Sequence, residues 1–345
     1  MLDVEPYGNI RPDRWSRIGK SWVYYASPGR RGIMQWRQLM REQPHDVLYL
    51  NSLFDPTFTL RPLLARRYPG LVSKPVVVAP HGELSAGALA LKWWKKLPFL
   101  AMAKLFGLYR DVLWHASDEV EATQIRNSFG DAEGIVVARN LTAQNPSSLS
   151  IARPEETGGV LRIVFLSRIS RMKNLDYALR VLSRCITPVR LDIWGTIEDA
   201  GYWRACEKLV QDLPSNVQAS YRGVAHHEDV LNILAGYDLF FLPTRGENYG
   251  HVIAESLSVG TPVLISDQTP WRELSEHGVG WDLPLDRDGT AFLQAIETAS
   301  RKGEAERAKW RRGASEYALA RSRDPNLLAA NRNVFATAMR LVKSK

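Results

Sequence analysis

The feature that most constrains this chain is a regular alternation of short apolar runs with longer amphipathic ones. Apolar runs at 161–166, 190–194, 216–221, 238–242, 261–265 and 279–283 are separated by helical patterns at 174–185, 199–213, 227–236, 250–258 and 270–276. Runs this short and this uniformly apolar are strands buried on both faces, which helices on either side must cover. The alternation predicts a parallel, doubly wound sheet. Two more helices, at about 303–321 and 325–342, close the chain. In such sheets a ligand sits beyond the carboxyl ends of the strands, so the chemistry is expected in loops that follow strands.

An earlier block repeats the pattern less regularly. Ser21 to Tyr25 reads as a strand, Ile33 to Arg41 as a helix and Asp46 to Leu50 as a second, buried strand. Thr57 to Arg67 is a helix, Pro75 to Ala79 a third strand, and Pro80-His81-Gly82 its turn. A basic, aromatic helical stretch from Ala86 to Tyr109 is expected to break at Pro98. Val112 to His115 is a strand, Ser117 to Asn127 a helix capped by Ser117, and Gly134 to Ala138 a last strand. Asn140 to Gly159, rich in Ser, Pro, Asn and Gly, reads as a domain linker.

Length agrees with two domains, since 345 residues exceed what one core usually serves. With 45% hydrophobic and 24% charged residues the composition is that of a soluble globular protein, and no apolar run reaches membrane-spanning length. The first residues, Met1 to Lys20, lack a signal-peptide core. Cys185 and Cys206 form neither a disulfide framework nor a metal-ligand spacing, which suits a reducing cytoplasm. Residues 1–150 hold 19 Lys+Arg against 13 Asp+Glu, and so most of the chain's net charge of +8. A basic first half suits an acidic partner such as a lipid surface, a sugar phosphate or a nucleic acid.

Two loops look equipped for an anion. After the run 161–166 comes Ser167-Arg168-Ile-Ser-Arg-Met-Lys173-Asn174, with three cations just before a helix. A guanidinium fork, an ammonium and helix-start amides together would hold a phosphate group, although a solvated basic loop is the structural alternative. After the run 238–242 comes Pro243-Thr-Arg-Gly-Glu247-Asn-Tyr-Gly250-His-Val-Ile-Ala-Glu255. Its two carboxylates, eight residues apart, would lie about 12 Å apart on roughly one face if the segment were helical. Gly246 and Gly250 would let backbone approach a ligand. The alternative is a Glu247 that favours the positive helix end and a Glu255 at the surface.

Taken together, these residues resemble the retaining nucleotide-sugar glycosyltransferases with two Rossmann-like domains. This is the GT-B, family 4-like group known as glycosyl transferases group 1, which includes sucrose synthase-like and lipopolysaccharide-building enzymes. The resemblance rests on Pro243-Thr244 … Glu247-Asn-Tyr249-Gly250 … Glu255 … Gly260-Thr-Pro262-Val263. It rests also on Ser167-Arg168 … Lys173-Asn174, where Ser167 and Asn174 replace the family's two glycines. The implied fold is α/β, with two Rossmann-like doubly wound domains facing across a cleft. The domains would be an acceptor-side domain at 1–150, a nucleotide-sugar-binding domain at 151–323, and a C-terminal helix at 324–345 packing back toward the first.

Residue roles follow from the resemblance. Arg168 and Lys173 would clamp the donor diphosphate, and Glu255 would accept hydrogen bonds from the ribose. Glu247 would lie near the transferred sugar, with the amides of Asn248, Tyr249, Gly250, His251 and Val252 holding sugar and phosphate. Gly195 and Tyr221-Arg222-Gly223 would line the nucleotide, and His81 would face the sugar. The implied reaction moves a sugar from a nucleotide-diphosphate sugar to a glycan or lipid-linked acceptor with retention. Its setting would be cell-surface polysaccharide or lipopolysaccharide synthesis, in the cytoplasm or peripherally on the inner face of the membrane. Beyond the nucleotide-diphosphate sugar donor no cofactor is required, and no metal.

Other patterns carry less. Asp286-Arg-Asp288 reads as a cap before a helix rather than a metal site, His226-His227 lacks further ligands, and Gly278-x-Gly280 opens no helix. The Trp-rich basic stretch comes with no nucleic-acid recognition module, and Leu91 to Leu100 interleaves cations and aromatics in a way that suits anionic headgroups. The family's opening strand, Gly-rich loop and helix have no counterpart in residues 1–20, so the N-terminal domain is expected to be incomplete. Two other functions share most of these features: a sugar-nucleotide epimerase of the same fold, and a non-catalytic sugar-nucleotide-binding remnant.

Overall fold

The computed structural model describes residues 11–69, 74–130, 134–141 and 159–343. The chain divides into two compact units. One comprises the chain up to Glu83, Lys92–Val137 and the chain from Arg332 on; the other comprises Leu84–Leu91 and Ala138–Asn331.

The first part of the chain opens with an antiparallel hairpin, β1 (Trp15–Ile18) and β2 (Ser21–Tyr24). Only its second strand is legible in the sequence. Helix α1 (Ile33–Glu42) follows, then β3 (Leu48–Asn51), α2 (Arg61–Ala65), β4 (Val76–Ala79), α3 (Ala86–Ala90), α4 (Trp93–Leu105), β5 (Val112–Ala116), α5 (Glu119–Phe129) and β6 (Ile135–Val137). Strands β3 to β6 form a parallel sheet in chain order. Its two central strands, β4 and β5, are buried at every residue, as uniformly apolar runs require.

Two local expectations fail here. The helical stretch breaks at Leu91–Lys92, where Lys92 takes φ 59°, and Pro98 lies inside α4 instead. Pro98 stands in the second turn, so its missing N–H removes only the bond to the Trp94 carbonyl and the helix runs on. Helix α5 is capped by Asp118, whose carboxylate accepts the Glu121 amide at 2.7 Å. Ser117 serves another purpose: its hydroxyl donates to the buried Glu121 carboxylate at 2.8 Å. Most of the expected linker, residues 142–158, lies outside the described residues.

The second unit contains β7 (Leu161–Leu166), α6 (Leu175–Leu182), β8 (Val189–Trp194), α7 (Ala200–Gln211), β9 (Val217–Gly223), α8 (Val230–Ala235), β10 (Leu239–Leu242), α9 (His251–Ser258), β11 (Val263–Ser266), β12 (Gly280–Leu283), α10 (Thr290–Ser300) and α11 (Glu304–Ser322). The final helix, α12 (Pro325–Lys343), starts in this unit and is grouped with the first from Arg332. Val334 and Ala338 of α12 are fully buried, and the Phe335 ring lies tilted 5.7 Å from the Tyr49 ring.

All six strands of this unit are parallel, in the order β12-β11-β10-β7-β8-β9. The sheet therefore grows outward from β7 on one side and from β10 on the other, which is the doubly wound arrangement. The Leu, Ile, Val and Phe side chains of β7, β10 and β11 and the apolar faces of α6, α9 and α10 make one continuous core. The expected helix at 270–276 is a series of turns. Its amides are captured from outside: Asp282 accepts Glu273 N and Leu274 N, Thr269 Oγ1 accepts Trp271 N, and Glu273 has φ 59°.

Beneath the sheet's amino ends an ion-pair cluster ties the strands together. Asp238, just before β10, accepts both the amide and the guanidinium of Arg162 at 3.0 and 3.1 Å. Burial pushes its carboxyl upward, but the Arg162 hydrogen bonds outweigh this and hold it below the ordinary carboxylate value.

Candidate functional site

Neighbouring strands β7 and β10 diverge in connection, so their carboxyl ends flank the topological switch point of the six-stranded sheet. The two loops singled out in the sequence are the loops that leave these strands. Their meeting follows from the sheet order, because 74 residues separate Lys173 from Glu247.

Lys173 Nζ donates to Glu247 Oε2 at 2.5 Å, and the side chains are only 9% and 16% exposed. A pair this dry is strong only because each charge has the other; removing either leaves an isolated charge in a poor solvent. Asn174, next in the chain, takes the left-handed conformation at φ 62°, ψ 39°, which explains how it stands where the family has glycine. Its amide donates to the Pro243 carbonyl at 3.0 Å, and its Oδ1 accepts Arg245 Nε at 3.1 Å. One side chain thus fastens the two loops together. Arg245 N donates to the Met172 carbonyl and Glu247 N to the Gln268 carbonyl, which fixes the loop from both sides.

Arg168 is more open, at 52% side-chain exposure, and its Nη1 donates to Glu198 at 2.6 Å. An exposed pair of this kind is worth about 0–1 kcal/mol and leaves the guanidinium available to a stronger anion. Gly195 follows β8 beside it with φ +142°, and a Cβ there would stand 1.8 Å from the Ser167 carbonyl oxygen. Only glycine lets the two chain segments pass this closely. Gly223 ends β9, and Tyr221 Oη donates to the Gly195 carbonyl at 2.9 Å.

Glu247 does not lie on helix α9. Gly250, at φ 75° and ψ 62°, flanks the helix start, and the segment before it is loop. The helical spacing expected between Glu247 and Glu255 therefore does not hold: the Glu247 amide is spent on Gln268, not on a helical carbonyl. Helix bonds begin with Ile253 N and Ala254 N, both donating to Gly250 O, so the amides of His251 and Val252 precede the ladder. The Tyr249 side chain points into the core. Its ring is buried against Trp271, whose Nε1 donates to the Tyr249 carbonyl at 2.5 Å. Asn248 lies between Glu247 and Tyr249 in the same loop.

The carboxylate of Glu255, in the second turn of α9, has no hydrogen-bond donor among the described residues. Burial raises its carboxyl above the ordinary value, and nearby His227 and His251 only partly offset this. A half-buried carboxylate with nothing to accept is an unfilled acceptor site, suited to ligand hydroxyls.

His81 belongs to the first unit, at the end of β4, and takes φ 52°. The left-handed conformation costs a non-glycine residue about 1–2 kcal/mol. Its Nε2 lies 2.7 Å from Asn51 Oδ1 at the end of β3, and the next amide, Gly82 N, donates to buried Glu121 at 2.6 Å. The described residues hold no group of three or more His, Cys, Asp or Glu placed to bind a metal. Asp286 accepts the Gly289 amide at 2.5 Å and the Tyr177 hydroxyl at 3.0 Å in the loop before α10.

The family model "Glycosyl transferases group 1" matches residues 150–317. These residues form a group 1 glycosyl transferase domain.

Several solved structures resemble the chain over most of its length. An Anabaena protein, HepE, solved with UDP and glucose, superposes with a TM-score of 0.67 at 19% identity over 88% of this chain and 80% of its own. A glycosyltransferase from Rickettsia africae gives 0.67 at 16% identity over 91% and 81%. TarM of S. aureus, in a complex with fondaparinux, alpha-GlcNAc-glycerol and UDP, gives 0.65 at 14% over 88% and 58%. These likenesses show the fold, GT-B. Among curated proteins, an uncharacterized glycosyltransferase of Methanocaldococcus jannaschii is 24% identical over 134 residues, which is 38% of this chain and 34% of that protein. A glycogen synthase of Desulfitobacterium hafniense is 25% identical over 156 residues, 43% of this chain and 32% of that protein. The matches therefore span about a third of either relative's length.

Within the group 1 domain, sequence reasoning missed the residues that support the named ones. Glu198 holds Arg168, Gln268 anchors Glu247, and Ser266 Oγ donates to the Thr244 carbonyl at 2.5 Å. In the first unit Asn51 and Glu121 hold the His81-Gly82 turn. The one available signal was position. Asn51, Glu198, Ser266 and Gln268 all end strands or follow them closely, where a doubly wound sheet gathers its polar side chains.

Proposed function

We propose that this protein is a glycosyltransferase that moves a hexosyl group from a nucleotide-diphosphate sugar to a glycan or lipid-linked acceptor with retention of configuration. The observation that carries the reading is the arrangement at the switch point. Two cations, each held by a carboxylate, stand on the loop that leaves β7, and the loop that leaves β10 leads to helix-start amides and to a carboxylate that lacks any donor. Arg168 and Lys173 match a diphosphate, the amides of His251 and Val252 add partial positive charge, and Glu255 matches a pair of ribose hydroxyls.

The chemistry follows from where charge develops. As the bond from the anomeric carbon to the diphosphate oxygen breaks, negative charge grows on the leaving group, and Arg168 and Lys173 stabilise it more than the ground state. The acceptor hydroxyl forms the new bond on the same face and gives its proton to the departing phosphate oxygen. Glu247, held by Lys173, supplies negative charge near the cationic sugar, while His81 keeps the sugar-side role that the resemblance implies. The route needs no metal.

Cell-surface polysaccharide or lipopolysaccharide synthesis fits a lipid-linked acceptor, and with it a cytoplasmic protein at the inner face of the membrane. Among the described residues no helix is long and apolar enough to cross a membrane. The test is incubation with UDP-, GDP- and ADP-sugars and candidate acceptors, starting with UDP-glucose, the ligand of a second HepE structure. Release of nucleoside diphosphate with a glycosylated product of unchanged anomeric configuration is expected. Return of an epimerised sugar nucleotide, or release of no diphosphate with any donor, contradicts the reading.

A further inference from the structure

Helix α4 exposes what a core helix hides. Leu100 and Ala103 are its buried residues, whereas Trp93 and Trp94 are each 58% exposed, Met102 57% and Leu105 80%. Trp94, Met102 and Leu105 occupy the half of the helix opposite Leu100 and Ala103 at the helical period of 3.6 residues per turn, and Trp93 and Leu97 flank that half on the Leu100 side. Phe106, immediately after the helix, is 67% exposed and extends the same surface.

The charge of this segment is one-sided. From Leu84 to Arg110 there are five cations, Lys92, Lys95, Lys96, Lys104 and Arg110, and no carboxylate. The C-terminal end of α4 borders a cavity of about 1410 Å³ in the first unit, whose wall has six Lys and Arg side chains, Lys104 and Arg110 among them, against two carboxylates. Exposed tryptophans beside lysines suit one environment above others, the headgroup zone of a bilayer, where indole rings meet the apolar boundary and ammonium groups meet phosphate.

We propose that α4 is a docking surface for an anionic lipid bilayer. Its 13 residues span about 20 Å, short of the roughly 30 Å hydrocarbon layer, so the helix lies on the membrane and does not cross it. Charge complementarity selects the occupant. A second copy of this chain would bring the same cations face to face, and like charges repel. The proposal names the membrane partner of the reading above and rests on it only for its purpose; docking itself is measured without donor or acceptor.

The test is co-sedimentation of the full chain with vesicles of phosphatidylcholine alone and of phosphatidylcholine with phosphatidylglycerol. Binding is expected on the anionic vesicles at low salt and release at high salt. Trp93→Ser with Trp94→Ser should lower it at least roughly tenfold, and Lys95→Glu with Lys104→Glu should abolish the preference for phosphatidylglycerol. All four side chains are exposed or lie outside the core, and circular dichroism with nucleotide affinity verifies that each variant is folded. Equal recovery on both vesicle types, or equal binding by parent and tryptophan variant, overturns the proposal. A parent dimer that the tryptophan variant converts to monomer, with no vesicle binding by either, assigns the surface to a second copy and overturns it as well. Failure of donor turnover with vesicle binding intact counts against the glycosyltransferase reading alone.

Discussion

Lys173 Nζ lies 2.5 Å from Glu247 Oε2, across 74 residues of sequence, and the two loops that carry them leave adjacent strands of one sheet. The group assigned to the donor phosphates and the group assigned to the transferred sugar thus hold each other in place before any ligand arrives. The free energy of this pair is conditional. Breaking it by Lys173→Met strands a nearly buried carboxylate, and about 3–5 kcal/mol of stability should be lost. Lys173→Met with Glu247→Gln removes both charges and should recover most of it. Chemical denaturation of the parent, both single variants and the double measures the coupling; additive losses would show that the pair contributes nothing.

The two glutamates should differ in kinetic signature. Glu255 is assigned to the ribose, which is held alike in ground and transition states. Glu255→Gln should therefore raise KM for the donor by roughly 10- to 100-fold, corresponding to about 1.5–3 kcal/mol for a hydrogen bond to a charged group. Glu247→Gln should lower kcat chiefly, with affinity for bare nucleoside diphosphate equal or higher because Lys173 is released. Steady-state kinetics with calorimetry of the diphosphate separates the two. The reverse pattern exchanges their roles.

Glu255 should also make the ligand-free protein less stable at neutral pH. Its folded-state carboxyl titrates above the ordinary value because burial disfavours the anion. Below the unfolded value both states are protonated and nothing is lost. As pH rises through the folded value the buried anion destabilises the folded state, and the loss persists above it. Glu255→Gln should therefore raise Tm at pH 7, by roughly 2–4 °C if the relief is about 1 kcal/mol, and leave it unchanged near pH 4. An equal shift at both pH values would place the effect in packing.

Gly195→Ala should damage the donor site more than its size suggests. The new Cβ would meet the Ser167 carbonyl oxygen at 1.8 Å, and φ +142° is closed to alanine. The loop carrying Arg168 must shift, costing on the order of 1–3 kcal/mol in strain. Thermal unfolding and diphosphate affinity should both fall; unchanged affinity would mean that the close approach of the β7 and β8 ends does not shape the site.

Much of the architecture was legible because the six strands of the second unit are short, apolar and bounded by loops, a pattern that few other structures satisfy. The local errors share one cause: partners distant in sequence. Residues 270–276 carry an acceptable helical pattern, yet Asp282 and Thr269 take the amides that a helix needs. Ser117 looked like a cap, but buried Glu121 claims its hydroxyl and leaves the cap to Asp118. At the site, residue types announced the two loops, whereas the Lys173–Glu247 pair depends on the order of strands in the sheet. Asn174 in the left-handed region is the intermediate case: a departure from glycine that the sequence displays and only the backbone explains.

The measurement that tests the central claim most directly is calorimetric titration of UDP, GDP and ADP into the parent, Arg168→Ala, Glu247→Gln, and Lys173→Met with Glu247→Gln. The account predicts that at least one diphosphate binds the parent. It also predicts roughly 10- to 100-fold weaker binding to Arg168→Ala, and to the double variant compared with Glu247→Gln, since each cation loses a charge-assisted hydrogen bond. Binding of no diphosphate to a folded parent, or equal affinity in all four proteins, would contradict it.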